Sequence, residues 1–288
     1  MKLAAVILNY NDSVNASNLA LKLSTFNEID IVVVVDNCST DDSLTVMKRM
    51  LSGFKKINLY VSEKNGGYSY GNNFGIKKAQ ELGCDKAIVC NTDVEFDNTF
   101  INECCNALDT QFAVVSVLMK MPGDIYPYED NYRIFSYSED LLTCFHFGRK
   151  YLRKKYNRKL VLNNNDHQIH SVDKVPGSMF FIDINKFFEC GGFDENVFLY
   201  CEERILGRKV KNKGYKVGVY YCYEYFHNHS ISIDKSMSKL NQYILTYKSR
   251  LYYQKAYNSI SPFKAAVFKL CVRFFIMEYH IIRMIKSK

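Results

Sequence analysis

The chain has 288 residues, of which 48% are apolar and 15% are aromatic. This composition excludes a disordered protein and is enough for one large compact domain, or for one domain with an appendage. Lys and Arg outnumber Asp and Glu by 38 to 30, and the excess is concentrated in RKYLRKKYNRK (149–159) and in the tail after Pro262. Such patches attract phosphate groups of nucleic acid, lipid or small substrates, although a solvated charged face explains most single runs.

Two features bear on the compartment. The opening MKLAAVILNY contains an apolar run that is too short for a secretory signal. None of the ten cysteines has the two-residue spacing of zinc ribbons or redox motifs, so we expect free thiols in a reducing compartment. Both features predict a cytoplasmic protein.

Apolar runs alternate with helical patterns through the first 120 residues, and runs such as IVVVV (31–35) are typical of a sheet buried on both faces. We therefore predict an α/β fold with a doubly wound, Rossmann-like, mostly parallel sheet flanked by helices. We expect Asp41 or Thr40 to cap the second helix and Ser69 to cap the third. The predicted strands are 3–8, 31–35, 57–61, 86–90 and 113–118, and the predicted helices are 14–24, 42–51, 70–82 and 98–108.

Residues 120–170 lose this rhythm, which predicts a long excursion over one edge of the sheet. Regular patterning returns with VPGSMFFID (175–183), which is followed by a helix near Cys201 and by two aromatic strands around 215–226. The pattern of the last 50 residues predicts two helices, 236–258 and 263–285.

The final helix has basic residues every four to five positions among apolar ones. Arg273 and Glu278 lie in its middle, which argues against a membrane-spanning segment. The pattern predicts a helix that lies on a membrane surface. The alternatives are packing against its own domain and an interface with a second copy of the chain.

Polar residues follow each of the first four predicted strands. Because ligands of α/β sheets bind beyond the carboxyl ends of the strands, we predict a binding site at this edge. Asp36 could accept a hydrogen bond from a base or cap the next turn. Gly66 and Gly67 would let a phosphate group approach the backbone, although their spacing matches neither the dinucleotide fingerprint nor a Walker loop. The polar strand ends include Asn9, Tyr10, Asn11, Asp36, Asn65, Asn91 and Asp93.

Asp93 is the predicted metal ligand in CNTDVEF (90–96). Mg²⁺ and Mn²⁺ take few protein ligands when diphosphate oxygens complete their coordination. His227, in FHNHSIS, could supply a second ligand, and a structural histidine is the alternative.

Glu202 and Glu203 form a second acidic cluster at the predicted start of a helix. A helix dipole alone would favour carboxylates there. The functional alternative is a general base that takes the proton from an attacking hydroxyl group.

Six segments, taken in order and spacing, resemble the family 2 glycosyltransferases, particularly their bacterial rhamnosyltransferase-like branch. The resemblance covers residues 1–232 and implies a GT-A fold, a nucleotide-diphosphate-sugar donor, a divalent cation and inversion at the anomeric carbon. The segments are VILNYN (6–11), VDNCSTDDS (35–43), NGGYSYGNNFGI (65–76), CNTDVEF (90–96), PGSMFFID (176–183) and GGFDENVFLYCEE (191–203).

The resemblance also implies roles for individual residues on the donor side. Leu8 and Tyr10 fall where the family contacts the base, and Asp36 falls where it pairs with a pyrimidine. The loop that closes over the nucleotide corresponds to Asn65, Gly66, Gly67 and the segment up to Asn72. Asp93 falls on the last carboxylate of the Asp-x-Asp motif, whose first position is Asn91 here.

On the acceptor side, Gly177 and Ser178 fall on the segment that faces donor sugar and acceptor. Glu203 falls where many relatives have the base Asp of a Glu-Asp pair, and Glu202 is the competing base. His227 fits the His-x-x-Gly-x-Ser pattern as a metal or diphosphate ligand, with Ser232 as its last residue and Ser230 in place of the glycine.

These observations predict transfer of a sugar from dTDP-rhamnose or a UDP-hexose to a saccharide hydroxyl, in capsule or O-antigen synthesis. The basic patches favour a lipid-linked acceptor at the inner face of the cell membrane. We predict a GT-A domain over 1–235, with a nucleotide-binding half (1–119) and an acceptor-binding half (120–235), and C-terminal helices over 236–288. A silent nucleotide-sugar-binding protein is one alternative. A nucleic-acid-binding protein is the other, but Lys and Arg avoid the strand ends where the motifs cluster.

Overall fold

The computed structural model describes residues 1–157, 160–228 and 238–286. Its centre is one mixed sheet, with strand order β3-β2-β1-β4-β8-β6-β9-β5 and with β7 paired to β9. The strands are β1 (Leu3–Asn9), β2 (Ile31–Asp36), β3 (Ile57–Val61), β4 (Lys86–Cys90), β5 (Val94–Glu95), β6 (Phe112–Lys120), β7 (Ile169–Val172), β8 (Met179–Asp183) and β9 (Lys216–His227).

Helices cover both faces of this sheet because the side chains of its buried strands alternate between two cores. Leu3, Ala5 and Ile7 of β1 belong to one core, and Ala4 and Val6 belong to the other. The helices are α1 (Ser13–Ser24), α2 (Ser43–Met50), α3 (Gly67–Glu81), α4 (Ile101–Leu108), α5 (Tyr137–Leu142), α6 (His146–Lys155), α7 (Ile184–Glu189), α8 (Glu202–Asn212), α9 (Lys239–Asn258) and α10 (Pro262–Lys286).

The predicted fold class is confirmed, with a difference in the second half of the sheet. Strands β3, β2, β1 and β4 are parallel neighbours. Strand β8 is antiparallel to both of its neighbours, β4 and β6, so the sheet as a whole is mixed rather than mostly parallel. The parallel part follows from the alternation of short strands and helices, whereas β6, β8 and β9 are brought together by longer connections.

The prediction of two aromatic strands around 215–226 is wrong. One strand, β9, runs through this segment, and its pairing with β6 jumps from Tyr220 to Glu224. The irregular stretch lets the first part of β9 pair with β7 and its end pair with β5. The aromatic runs on either side of the irregularity therefore belong to one continuous element.

The predicted helix caps are wrong. The cap position of α2 is Asp42, whose side chain makes no capping hydrogen bond, and Asp41 lies one residue before it. The Asp41 carboxylate accepts a hydrogen bond from the backbone N–H of Ser43, at the start of α2, at 3.0 Å. Ser69 does not cap α3, because this helix already begins at Gly67 and Ser69 is buried within it. The glycine pair lets the chain enter the helix three residues earlier than the polar pattern indicates.

The C-terminal helical extension is present as α9 and α10. One face of α10 packs through Phe268 and Phe275 against Tyr247 of α9 and Cys144. This face therefore follows the alternative in which the helix packs against its own domain. No helix in the described ranges is both long and apolar enough to cross a membrane. The division into two halves and an extension stays a prediction.

Candidate active site

The polar residues at the ends of β1 and β2 are locked together. These strands pair with Asn9 opposite Asp36, so both side chains reach the same edge of the sheet. Both residues are buried, and Asn9 Nδ2 donates to Asp36 Oδ1 at 2.8 Å. The same oxygen accepts from Ser39 Oγ at 2.5 Å, and Asp36 Oδ2 accepts from Ser39 N at 3.2 Å. Asp36 thus orders the turn after β2.

The loop after β1 and the loop after β2 are tied together by two hydrogen bonds between Asn11 and Thr40. Asn11 has φ 55°, and its side chain bonds Thr40 Oγ1 at 3.1 Å and the Thr40 N–H at 2.9 Å. Leu8 contacts the face of α3 at Gly71, where an added Cβ would lie 2.4 Å from Leu8 Cδ1. Tyr10 directly follows β1 and is half-buried. The residues expected to contact a base therefore lie along one rim.

The glycine loop is held by Asn37, the residue after β2, which was not predicted as a site residue. Asn37 Nδ2 donates to Asn65 Oδ1 at 3.1 Å and to the Gly67 carbonyl at 3.2 Å. Gly67 has φ +85°, and a Cβ there would lie 2.1 Å from the carbonyl oxygen of Phe198. Only glycine fits this position.

Asn72 lies one turn further along α3 and is 1% exposed. Its Nδ2 bonds the Tyr68 carbonyl at 3.0 Å, and its Oδ1 has no hydrogen-bond partner among the described residues. Buried polar atoms are rarely left unpaired, so this oxygen is an unusual feature of the first turns of α3.

Asp93 and His227 are neighbours. The short strand β5 pairs with the end of β9, which puts Val94 opposite His227. Asp93 Oδ1 lies 3.3 Å from His227 Nε2, and both side chains are about nine-tenths buried. The structure therefore brings together the two residues that the sequence patterns name as metal ligands. Ser230 and Ser232 of the same pattern lie outside the described residues.

The ligand atoms that Asp93 and His227 offer fit a divalent cation. A carboxylate oxygen and an imidazole nitrogen suit Mn²⁺, and a carboxylate also suits Mg²⁺. Across the described ranges, no group of three or more His, Cys, Asp and Glu side chains is arranged around one point. The arrangement suits an ion that takes its other ligands from a diphosphate and water.

Gly177 and Ser178 lie beside the CNTD segment because β8 runs antiparallel to β4. The Ser178 carbonyl accepts from Asn91 N at 2.8 Å. The hydroxyl groups of Ser178 and Tyr225 are hydrogen bonded at 2.7 Å, so the serine side chain is engaged below the surface. Asn91 and Ser178 thus join two of the expected binding segments through backbone contact.

Glu203 approaches this segment from α8. Its Oε1 accepts from Gly177 N at 3.2 Å, and a Cβ on Gly177 would lie only 2.6 Å from that oxygen. Tyr68 donates its hydroxyl hydrogen to the Gly177 carbonyl at 2.6 Å. Burial, with the negative charges of Glu203 and Glu202, raises the pKa of Tyr68 well above its usual value, so this hydroxyl stays a donor. Tyr68 was not predicted as a site residue.

The two glutamates have different environments. Glu202 is 4% exposed, and its Oε2 has no hydrogen-bond partner among the described residues. Burial, and then the charge of Glu203, raises the pKa of Glu202 to about 8. Glu203 is half-buried and faces Gly177. Glu203 is the carboxylate that reaches the segment 176–178, so the geometry favours Glu203 over the enclosed Glu202 as the base.

The carboxyl edge of this Rossmann-like sheet thus brings together the polar ends of β1 and β2, the glycine loop, Asp93 beside His227, and Glu203 beside Gly177. The chain belongs to glycosyl transferase family 2, whose family model matches residues 6–173. The predicted family is thereby confirmed, while the rhamnosyltransferase-like branch stays a prediction. The match ends before Glu203 and His227.

Similar proteins agree with this family. The chain is 24% identical over 248 residues to the low-salt glycan biosynthesis hexosyltransferase Agl10 of Haloferax volcanii, covering 84% of this chain and 72% of that one. Mannosyltransferase PcManGT from Pyrobaculum calidifontis, solved with GDP-Man and Mn²⁺, matches with a TM-score of 0.58 and 13% identity, covering 95% of this chain and 72% of that one. GalNAc-T7, solved with UDP, GalNAc and Mn²⁺, matches with a TM-score of 0.61 and 15% identity, covering all of this chain and 57% of that one.

Proposed function

We propose that the protein transfers a hexosyl group from a nucleotide-diphosphate sugar to a hydroxyl group of a saccharide acceptor. The observation that carries this proposal is the convergence of the Asp93–His227 pair, Gly177 and Glu203 at one edge of the sheet. The structures solved with GDP-Man or UDP support a nucleotide-sugar donor. The donor is dTDP-rhamnose or a UDP-hexose.

The donor occupies the carboxyl edge of the first four strands. Leu8, Tyr10 and Asp36 line the base side, and the loop from Asn65 to Gly67 closes over the nucleotide. Asn9 and Asn11 fix the base rim through their bonds to neighbouring loops. The unpaired Oδ1 of Asn72 and the side chain of Asn91 provide further polar contacts.

Asp93 and His227 hold a divalent cation, Mn²⁺ or Mg²⁺. When bound, this ion neutralises the diphosphate and makes it a better leaving group. Asn91 contributes no charge where many relatives have an aspartate, so the protein's own ligands carry one carboxylate. We expect the cation to bind more tightly when the donor is present.

Glu203 acts as the general base. Gly177 N and the Tyr68–Gly177 contact hold the Glu203 carboxylate beside the segment that faces the acceptor. The carboxylate takes the proton of the acceptor hydroxyl as that oxygen attacks the anomeric carbon, and the bond to the diphosphate oxygen breaks on the opposite side. One such displacement inverts the anomeric configuration.

The acceptor is a lipid-linked oligosaccharide of capsule or O-antigen synthesis, which the protein meets at the inner face of the cell membrane. The exposed face of α10 supports this membrane contact because large apolar side chains recur along it every three to four residues or at twice that spacing. They are Phe263, Leu270, Phe274, Met277, Ile281 and Met284, and each is at least 45% exposed.

The charges beside this apolar face favour an anionic bilayer over a second copy of the chain. Lys264, Lys269 and Arg273 are exposed on the same helix, whereas Glu278 is paired with Arg149 of the neighbouring α6 at 3.1 Å. Two copies would bring like charges together, but a surface of acidic lipid would attract them. α6 adds exposed lysines and an arginine next to this contact.

A thermal-shift panel of nucleotide-diphosphate sugars with and without Mn²⁺ tests the donor site. A donor at about 100 times its Kd should add about 2.7 kcal/mol of stability. We expect this gain to require Mn²⁺ and to be lost in Asp93→Ala, but to persist in Glu95→Ala, which removes an exposed carboxylate two residues away. Absence of any response, together with salt-sensitive binding of RNA or DNA, would overturn the proposal. Donor binding without transfer or donor hydrolysis would indicate a silent binding protein.

Sedimentation with vesicles tests the membrane face. We expect binding to phosphatidylglycerol vesicles that weakens with salt, and at least a tenfold loss of binding in the triple variant Leu270→Ser, Phe274→Ser, Met277→Ser. Phe54→Ser, which removes an apolar side chain of similar exposure elsewhere, should bind normally. Unchanged vesicle binding in the triple variant, or a dimer that only this variant dissociates, would refute the membrane contact.

A further inference from the structure

The segment that leads into α8 sets the position of the two glutamates. Tyr200 and Cys201 have φ 68° and 73°, a left-handed conformation that is unfavourable for residues other than glycine. Glu202 follows immediately as the first residue of α8. Such a backbone persists only where its surroundings hold it in place.

One side of this segment is held by α3. The Phe198 carbonyl accepts from Tyr68 N at 2.9 Å. Asn73 Nδ2 bonds the Phe193 carbonyl at 3.1 Å, and Asn73 Oδ1 accepts from Phe193 N at 3.0 Å. The loop over the donor and the approach to α8 are therefore directly connected.

The other side is held by α9, in the C-terminal extension. Ser249 Oγ donates to the Leu199 carbonyl at 2.8 Å. The hydroxyl groups of Tyr252 and Tyr257 both donate to Asp194 Oδ2, at 2.8 and 2.7 Å. Three side chains of one helix thus bind the first and last parts of the segment 194–199.

A buried charge network ties α8 itself to the same helix. Asp140 Oδ2 accepts from Arg204 Nη1 at 2.6 Å and from Gln254 Nε2 at 2.7 Å. Asp140 and Gln254 have no exposed surface, and Arg204 is 6% exposed. The Arg204 guanidinium also lies over the ring of Tyr253, 5.2 Å from its centre. Arg204 is the residue after Glu203, so its fixed position restrains the start of α8.

We propose that α9 positions Glu203 for proton transfer, with Ser249, Tyr252, Tyr257 and Gln254 as positioning residues. The proposal rests on the proposed function in taking Glu203 as the base. None of these four residues touches Asp93, His227 or the glycine loop through a described contact. The backbone bond from Tyr68 N to the Phe198 carbonyl, which connects this segment to the glycine loop, is left in place by changes at these four side chains. Their effect should therefore fall more on turnover than on donor binding.

The double variant Tyr252→Phe, Tyr257→Phe tests this, because it removes two hydroxyl groups and keeps both rings. We expect kcat to fall at least tenfold while the donor KM and the donor-induced thermal shift change less than twofold. Tyr247→Phe is the matched control: its hydroxyl, on the same helix, bonds the Thr143 carbonyl at 2.9 Å, away from the segment. This control should keep the wild-type kcat.

Ser249→Ala is a milder second variant in case the double variant folds poorly, with Thr246→Ala as its control because Thr246 bonds only within α9 among the described contacts. Hydrogen exchange provides a readout without catalysis: amides of 194–205 should exchange faster in both test variants and normally in both controls. Unchanged kcat in the folded test variants would overturn the proposal. If the wild-type chain transfers no sugar, the proposed function fails, and unchanged exchange in 194–205 would separately overturn the positioning by α9.

Discussion

At the scale of single residues, Glu203 and Glu202 have identical side chains in different surroundings. They are consecutive, yet one faces the Gly177 amide and the other is enclosed in the protein. No local pattern distinguishes them in the sequence. The division depends on which side of the first turn of α8 faces the segment 176–178.

Glu203→Gln should lower kcat by about 10²–10⁴-fold, because the amide cannot accept the proton of the acceptor hydroxyl. Donor affinity should stay nearly unchanged, since the Asp93–His227 pair is intact. Steady-state kinetics with donor titration measures both quantities. Equal turnover in this variant and a large loss in Glu202→Gln would exchange the roles of the two residues.

Glu202 should also make stability depend on pH. Its ordinary pKa is 4.5 and burial raises the pKa to about 8 in the folded protein, so the folded state holds the proton more tightly. Its contribution to the free energy of unfolding is therefore full below about pH 4.5 and is lost as pH rises to about 8. Glu202→Gln, which stays neutral, should gain melting temperature relative to the wild type between pH 5 and 8. A constant difference across this range would contradict the raised pKa.

At the scale of elements, the entry to α3 explains why a glycine pair precedes it. Gly67 combines a positive φ with a close approach to the Phe198 carbonyl. The polar and glycine-rich pattern predicted a loop here, but it did not predict that the partner of the loop would be the segment before α8. That partner lies far along the chain, and its contact is made by backbone atoms that carry no sequence signal.

Gly67→Ala should lower the free energy of unfolding by more than the unfavourable backbone conformation alone would. A left-handed non-glycine residue costs roughly 1–2 kcal/mol. Gly53→Ala is the matched control, because Gly53 has the same φ of +85° and open space around its Cβ position. We expect Gly67→Ala to lose clearly more free energy of unfolding in urea than Gly53→Ala, and to weaken donor binding. Equal losses of free energy of unfolding in the two variants would show that the segment around Phe198 makes room for the added methyl group without a further cost.

The sequence located Asp93 and His227 because both follow apolar runs with strand character. It could not show that they meet, since β5 has only two residues and is too short to be recognised from periodicity. The Asp140–Arg204–Gln254 network was missed for another reason. Polar residues within helical patterns usually face water, and only the packing of α5, α8 and α9 buries these three.

At the scale of the whole molecule, the two predicted halves share a single sheet. Strand β8 joins β4 to β6, and β5 of the first half pairs with β9 of the second. We therefore expect one calorimetric unfolding transition, which donor and Mn²⁺ shift as a whole. Two transitions, of which only one responds to the donor, would show that the halves unfold independently.

The pairing of β5 with β9 also has a consequence during synthesis of the chain. Asp93 leaves the ribosome long before His227, and the two can meet only after β9 has been made and its end has paired with β5. A nascent chain that already contains the ends of β1 and β2 and the glycine loop would still lack one of the two proposed metal ligands. The proposed cation site should therefore be completed only at the end of synthesis and folding.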